Sequence, residues 1–173
     1  MVPSIYLDND VASGISRRDL DSTQQASLDR LLDAHAKGRV AVRVSRHSDR
    51  EMERAPSKHQ QELKKGIKDV DRVPNDHNVL GFFELSDPYG GFISNPIVTD
   101  IPDPTLFERF CSTGLKNDDA QHILYAALNG MTFFVTCDQR ILSRRNQIEP
   151  LLASASRTIA IRSLDEVCAE LAI

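Results

Sequence analysis

No stretch of the 173-residue chain is apolar for long enough to cross a membrane, and none reads as a secretory signal. Cysteine is scarce. The three present, Cys111, Cys137 and Cys168, lack metal-finger spacing, and their odd number is unlike a secreted disulfide framework. These absences point to a cytoplasmic, reducing compartment. Basic charge is not in excess: 21 Lys and Arg stand against 25 Asp and Glu, a net charge of −4. That is no general nucleic-acid signature, although an acidic metal site would itself contribute to the balance. The sequence also has no internal repeat and no low-complexity tract. Its length suits one domain over residues 1–173 with a sizeable core.

What is present is an alternation of strand and helix patterns. Ser4 to Leu7 is a short apolar strand. Ser22 to Ala36 reads as a helix with Ala26, Leu28, Leu31 and Leu32 buried, stopping near Gly38. Val40, Ala41, Val42 and Val44 make a second strand, followed by a helix from Ser48, its expected cap, to Arg54. Ser57 to Val70 reads as a polar, Lys-rich, solvent-facing helical arm, and Val79 to Leu85 as a short strand. Pro88, Gly90, Gly91, Pro96, Pro102 and Pro104 then dominate, so residues 58–104 predict an insertion or flap. Thr105 to Cys111 is helical, Thr158 to Ile161 a last strand, and Leu164 to Leu171 a last helix. Such alternation predicts an α/β fold of three layers, α/β/α, around a mostly parallel central sheet.

The stretch NDDAQHILYAALNGMTFFVTCDQRIL, Asn117 to Leu142, carries the chemistry. Asn117 would cap a helix on which Ala120, Ile123, Leu124 and Ala127 recur at helical spacing, and Gly130 would end it. Phe133, Phe134 and Val135 form a buried strand, with Thr136 and Asp138 directly after it. Asp8, Asn9 and Asp10 follow the first strand in the same way. Ligands of open α/β sheets gather at the carboxyl ends of strands. Two strands ending in carboxylates would bring Asp8 and Asp138 together if they are neighbours. Converging carboxylates repel, and Mg²⁺ or Mn²⁺ with oxygen ligands is the ordinary counter-charge.

Three motifs, IYLDNDV, SRHSDREMERA and DDAQHILYAALNGMTFFVTCDQRIL, resemble the PIN-domain family of metal-dependent nucleases, which includes VapC-like toxins of bacterial toxin–antitoxin pairs. The resemblance covers the core elements of most of the chain and thins to composition from Lys58 to Pro104. It implies a PIN-like fold and four acids holding one or two Mg²⁺ or Mn²⁺ ions. These are Asp8 after strand one, Glu51 in the helix after strand two, Asp119 in the penultimate core helix, and Asp138. Glu53 competes with Glu51 for its place. Asp10 stands where the family usually has Asn, as a further ligand or a modifier of metal preference. Thr136 would orient a water or an acid. The activity implied is endoribonucleolytic: hydrolysis of RNA phosphodiesters by an activated water, with a nearby carboxylate taking its proton. Arg140, Arg144 and Arg145 would meet RNA phosphates. A homodimer and a small antitoxin covering the site are implied partners.

Duller readings accompany each residue. Asp118 and Asp119 both suit the positive end of a helix dipole; the order of the acids gives Asp119 to the site and leaves Asp118 to the dipole. Glu51 and Glu53 read equally as a solvated face. His122, on the face of Asp119, reads as a packed histidine, or one that supports a ligand from behind, rather than a ligand itself, and the arginines as a solvated face. Arg46 and His47 are possible substrate contacts by position alone. Two other functions compete. Asp8-Asn9-Asp10-Val11 fits the D-x-D-x-V motif of haloacid-dehalogenase-like phosphatases, but that family needs its threonine before its acidic pair, and here Asp118-Asp119 precede Thr136. The other is a catalytically weak PIN-like module binding nucleic acid or protein, as expected if neither Glu51 nor Glu53 reaches the site.

Overall fold

The computed structural model describes residues 2–74, 79–86, 92–99 and 101–173. The expected flap segment with Pro88, Gly90 and Gly91 lies outside the described residues.

Among the described residues, five strands form one parallel sheet. They are β1 (Ser4–Leu7), β2 (Ala41–Val44), β3 (Asp71–Arg72), β6 (Phe133–Val135) and β7 (Ala160–Arg162), in the order β3-β2-β1-β6-β7. The register places Ile5 opposite Val42 and Phe133, and Leu7 opposite Val135. A separate antiparallel pair joins β4 (Val79–Ser86) to β5 (Phe92–Thr99). Among the described residues eight helices accompany the strands: α1 (Asn9–Arg17), α2 (Ser22–Ala36), α3 (Arg46–Glu53), α4 (Ser57–Gly66), α5 (Pro104–Ser112), α6 (Asn117–Leu128), α7 (Gln139–Ser154) and α8 (Leu164–Glu170). None is long and apolar enough to cross a membrane.

The period-two geometry of the strands divides the core into two layers. Ile5, Leu7, Phe133 and Val135 face one side, against Val11 and Ala12 of α1, Leu28 and Leu31 of α2, and Val167 of α8. Tyr6, Phe134 and Ile161 face the other, against Phe110 of α5, Ile123 and Leu124 of α6, and Ile148 and Leu152 of α7. The chain is therefore α/β with helices on both faces of a parallel sheet. Each of these large side chains contributes about 1.5–3 kcal/mol by leaving water.

Several local expectations are corrected. Ala26 is exposed; α2 instead buries Gln25 and Ser27 beside Leu28 and Leu31. The Ser27 hydroxyl donates to Asp165, and Cys168 Sγ lies against the Ser27 carbonyl, so the close α2–α8 contact selects the small polar residue. Ser45, not Ser48, caps α3: Ser45 Oγ accepts from His47 N at 3.2 Å, because β2 runs directly into the helix. Asn117 is the first residue of α6, and the cap position belongs to Lys116, whose side chain makes no capping bond. The helix from Ser57 ends at Gly66 and is no solvent-facing arm, since Leu63 and the following Ile67 are buried in the core. Arg72 then ties β3 to α3 through both oxygens of Asp49, at 2.8 and 3.0 Å.

Gly66 sits where α4 meets α1. A Cβ there would lie 2.6 Å from Ser16 Cβ and 3.2 Å from Ser16 N. Gly66→Ala is expected to destabilise the chain by about 1–3 kcal/mol despite alanine's better helix propensity. Thermal denaturation measures it; an unchanged midpoint would show that α1 yields freely.

Candidate metal and catalytic site

The site lies at the carboxyl edge of the sheet, where β1 and β6 end side by side. Asp8 is the first residue past β1 and the cap of α1. Its N–H donates to Val135 O at 2.9 Å, which continues the β1–β6 pairing, and its Oδ1 accepts from Asn9 N at 2.8 Å. Only 5 % of the residue is exposed. Thr136 is fully buried and fastens the two strand ends together. Its hydroxyl donates to Asp8 Oδ2 at 2.7 Å and accepts from Asp138 N at 3.0 Å. Asp10 reaches back across the same gap, its Oδ2 accepting from Cys137 N at 3.0 Å and its Oδ1 from Val11 N at 2.6 Å. The acids of two distant sequence segments are thus held by one hydrogen-bonded frame.

Their electrostatics record the crowding. Burial pushes the Asp8 carboxyl up, and the Glu51 charge adds to it, against the pull of His122 and of the Thr136 and Asn9 hydrogen bonds. Burial and then the charge of Asp8 raise Asp10 from 3.8 to about 7. Asp119, in the first turn of α6, is raised by burial and by the charges of Asp8 and Asp138. Asp138 runs the other way, held down by the Arg140 guanidinium folded onto its carboxylate.

The paired candidates separate by direction. Asp118 turns to Arg54, at 3.1 Å, while Asp119 feels the site acids. The side chain of Glu51 is 17 % exposed and faces inward to His122; that of Glu53 is 57 % exposed and pairs with Lys64 of α4 at 2.9 Å. Each of the three arginines has a partner within the chain. Arg140 holds Asp138, Arg144 Nε donates to Thr113 O at 2.9 Å, and Arg145 Nη1 pairs with Glu166 at 2.7 Å.

Behind the acids runs a buried chain that links residues far apart in sequence. Glu51 Oε2 lies 2.6 Å from His122 Nε2, His122 Nδ1 lies 2.6 Å from the Tyr6 hydroxyl, and Tyr6 donates to Ser45 Oγ at 2.6 Å. Burial alone would lower the His122 pKa; the Glu51 hydrogen bond and the charges of Asp8, Glu51 and Asp119 reverse the sign and raise it. His122 is packed, and its Nε2 meets Glu51, the candidate acid that a supporting histidine would hold. Tyr6 and Ser45 carried no sequence signal beyond strand alternation and a possible cap.

His47 stands beside this chain, its ring centroid 4.7 Å from that of His122. Its Nε2 is 3.2 Å from Asp118 Oδ1 but off the direction of a hydrogen bond, and neither ring nitrogen has a hydrogen-bond partner. Burial first, and then the His122 charge, lower its pKa. His47, Glu51 and His122 together form a group that could hold a metal ion, with one ligand atom from each lying within 4.8 Å of the others.

Thr136→Val should keep the shape of the frame and remove its central hydroxyl. If Asp8 is a ligand of Mn²⁺, affinity for that ion should fall about 10–100-fold, as for other groups that orient metal ligands. The Mn²⁺-dependent rise in melting temperature reads this out; an unaltered rise would show that Thr136 does not position Asp8.

Compared with protein-family models, curated proteins and solved structures, the chain matches none.

Proposed function

We propose that the chain is a metal-dependent nuclease that hydrolyses RNA phosphodiester bonds, in keeping with the resemblance of its motifs to PIN domains. The observation that carries this reading is the Asp8–Thr136–Asp138 frame at the end of two adjacent parallel strands, with Asp119 and Glu51 electrostatically coupled to it. The donor set fits a hard divalent cation. It is made of carboxylates: the Glu51 charge raises the Asp8 pKa, the charges of Asp8 and Asp138 raise that of Asp119, and a bound cation would relieve that repulsion. Asp8, Asp119 and Asp138 would hold Mg²⁺ or Mn²⁺, with Glu51 as the fourth acid. When bound, the cation supplies Lewis acidity toward a phosphate oxygen and a lowered pKa for water.

The chain's own residues do the rest. Thr136 fixes the Asp8 carboxylate through Oδ2, and Asn9 N–H fixes it through Oδ1. Asp10, fixed across the gap by Cys137 N–H and Val11 N–H, is the nearby carboxylate to take a proton from water. Arg140 holds Asp138 ionised and stands at the exposed rim, where a phosphate could compete for its guanidinium.

One observation favours the second reading, a binding module with weak catalysis. Glu51 is engaged by His122 at 2.6 Å, so it is drawn away from service at the carboxylate edge. Incubation with mixed single-stranded RNA and, separately, a small aryl phosphate in Mn²⁺ tests the proposal. RNA should be cut and the ester left nearly untouched. Hydrolysis of the ester alone would point to the phosphatase reading, and folded protein cutting neither would point to the binding module.

A further inference from the structure

The proposed nuclease leaves one buried group without a role, the His47 imidazole. It is 4 % exposed, and neither ring nitrogen makes a hydrogen bond, although Nε2 lies 3.2 Å from Asp118 Oδ1. Leaving a buried polar atom in that state is unfavourable, so it calls for an occupant that accepts its lone pair.

We propose that His47, Glu51 and His122 form a second metal site, for a single zinc-class cation such as Zn²⁺ or Co²⁺, distinct from the all-carboxylate edge. His47 and Glu51 are four residues apart on α3 and so share one helix face. His122 comes from α6, across the sheet edge. Two imidazoles and a carboxylate are the donor set that suits Zn²⁺ and its neighbours, whereas Mg²⁺ prefers oxygen alone. Three protein ligands leave a fourth position for water or another ligand.

The hydrogen bonds behind His122 prepare it as a ligand. Ser45 Oγ accepts from His47 N and from the Tyr6 hydroxyl. Having given its proton to Ser45, Tyr6 accepts one from His122 Nδ1. Nδ1 therefore carries hydrogen, and Nε2 is the nitrogen aimed at Glu51 and the cluster. Metal-bound histidines are oriented in this way by a partner on their other nitrogen. Metal–ligand bonds of about 2.0–2.2 Å require ligand atoms roughly 3.3–3.5 Å apart. A cation would thus replace the 2.6 Å Glu51–His122 hydrogen bond and draw His47 inward from within the present 4.8 Å spread.

Glu51 is also one of the four acids of the proposed nuclease. A zinc-class ion at the histidines would retain it there, so Zn²⁺ should inhibit Mg²⁺-dependent cutting; this consequence alone rests on the nuclease reading.

Titration of the full chain with Co²⁺, followed by visible d–d absorption, tests the site. The wild type should bind one equivalent with an intense low-symmetry band that Zn²⁺ abolishes and excess Mg²⁺ does not. His47→Gln should weaken binding at least about 100-fold while keeping its circular dichroism, and Asp8→Asn should retain the band. A wild type without the band overturns the proposal whatever the variants do. So does a band lost in Asp8→Asn and kept in His47→Gln, which would place cobalt on the carboxylate edge. RNA cutting in the same preparations separates the two claims. Cutting without the cobalt band overturns this site and leaves the nuclease standing; a band without cutting supports this site and counts against the nuclease.

Discussion

Asp8→Asn should reduce metal-dependent RNA cutting by roughly 10³-fold or more, the loss expected when several kcal/mol of metal-borne stabilisation is removed. The same substitution should raise the melting temperature of the metal-free chain. Asp8 is buried, and both burial and the nearby Glu51 carboxylate raise its pKa, so its ionised form opposes folding at neutral pH. Asparagine keeps an oxygen for Asn9 N–H and can offer its amide hydrogen to the Thr136 hydroxyl, which already accepts from Asp138 N. The fold loses a charge and reverses one bond of the frame; the Thr136 hydroxyl proton loses its Asp8 acceptor, which offsets part of the gain. Activity and stability moving in opposite directions identifies a functional carboxylate held at a structural cost. Wild-type cutting by the variant would sink the role of Asp8. A lower metal-free melting point would show that its hydrogen bonds outweigh its desolvation.

In a chelator, the chain should become less stable as pH rises from about 4 to about 7, by up to about 1.4 kcal/mol per pH unit for each coupled proton. Asp10 sets the window: its folded pKa is about 7 against an ordinary 3.8. A pKa raised by folding means that the native state binds more protons, so the stabilisation is complete below pH 4 and is lost on the way to 7. His122 acts in the same direction at the upper end, since its folded pKa lies above the ordinary 6.5. The carboxylates with lowered pKa, Asp138 and Glu166 among them, have the opposite sign, but their contribution changes only below their ordinary values. Melts at about pH 5 and about pH 7.5 measure the slope, which Asp10→Asn should flatten. Saturating Mn²⁺ should reverse it, because the cation binds the ionised carboxylates. A chelated chain equally stable at both pH values would contradict the crowding of acids at the sheet edge.

Much of this edge was readable from local sequence. An acid directly after a four-residue apolar strand is visible in IYLD, and again after FFVT, because strand, turn and acid are neighbours in the chain. The parallel pairing of β1 with β6 then set the two strand ends side by side, with Thr136 bonded to the Asp8 carboxylate and to the Asp138 backbone N–H. Glu51 and Glu53 could not be separated in the same way. Two residues apart on a helix, they point in opposed directions, and which one faces inward depends on α3 starting at Ser45 and burying His47, Ser48 and Met52. The Tyr6–His122 and Glu51–His122 contacts span 116 and 71 residues, so no local pattern announces them. The fold shows the same division. Helices α1 and α7 are faint in the sequence because Gly14 and serines lower the propensity of the first and Pro150 breaks the pattern of the second, although α7 runs on through it. Strand β3, two residues long, is too short for any periodicity and is held by the Arg72–Asp49 pair instead.

The most direct test of the metal-dependent nuclease is a reversal experiment on mixed single-stranded RNA, run on the wild type beside Asp138→Asn. Cutting in Mn²⁺ or Mg²⁺ should stop when EDTA is added and resume when the metal is restored in excess, with the variant inactive throughout. Cutting that continues in EDTA, or that Asp138→Asn sustains at the wild-type rate, would contradict it.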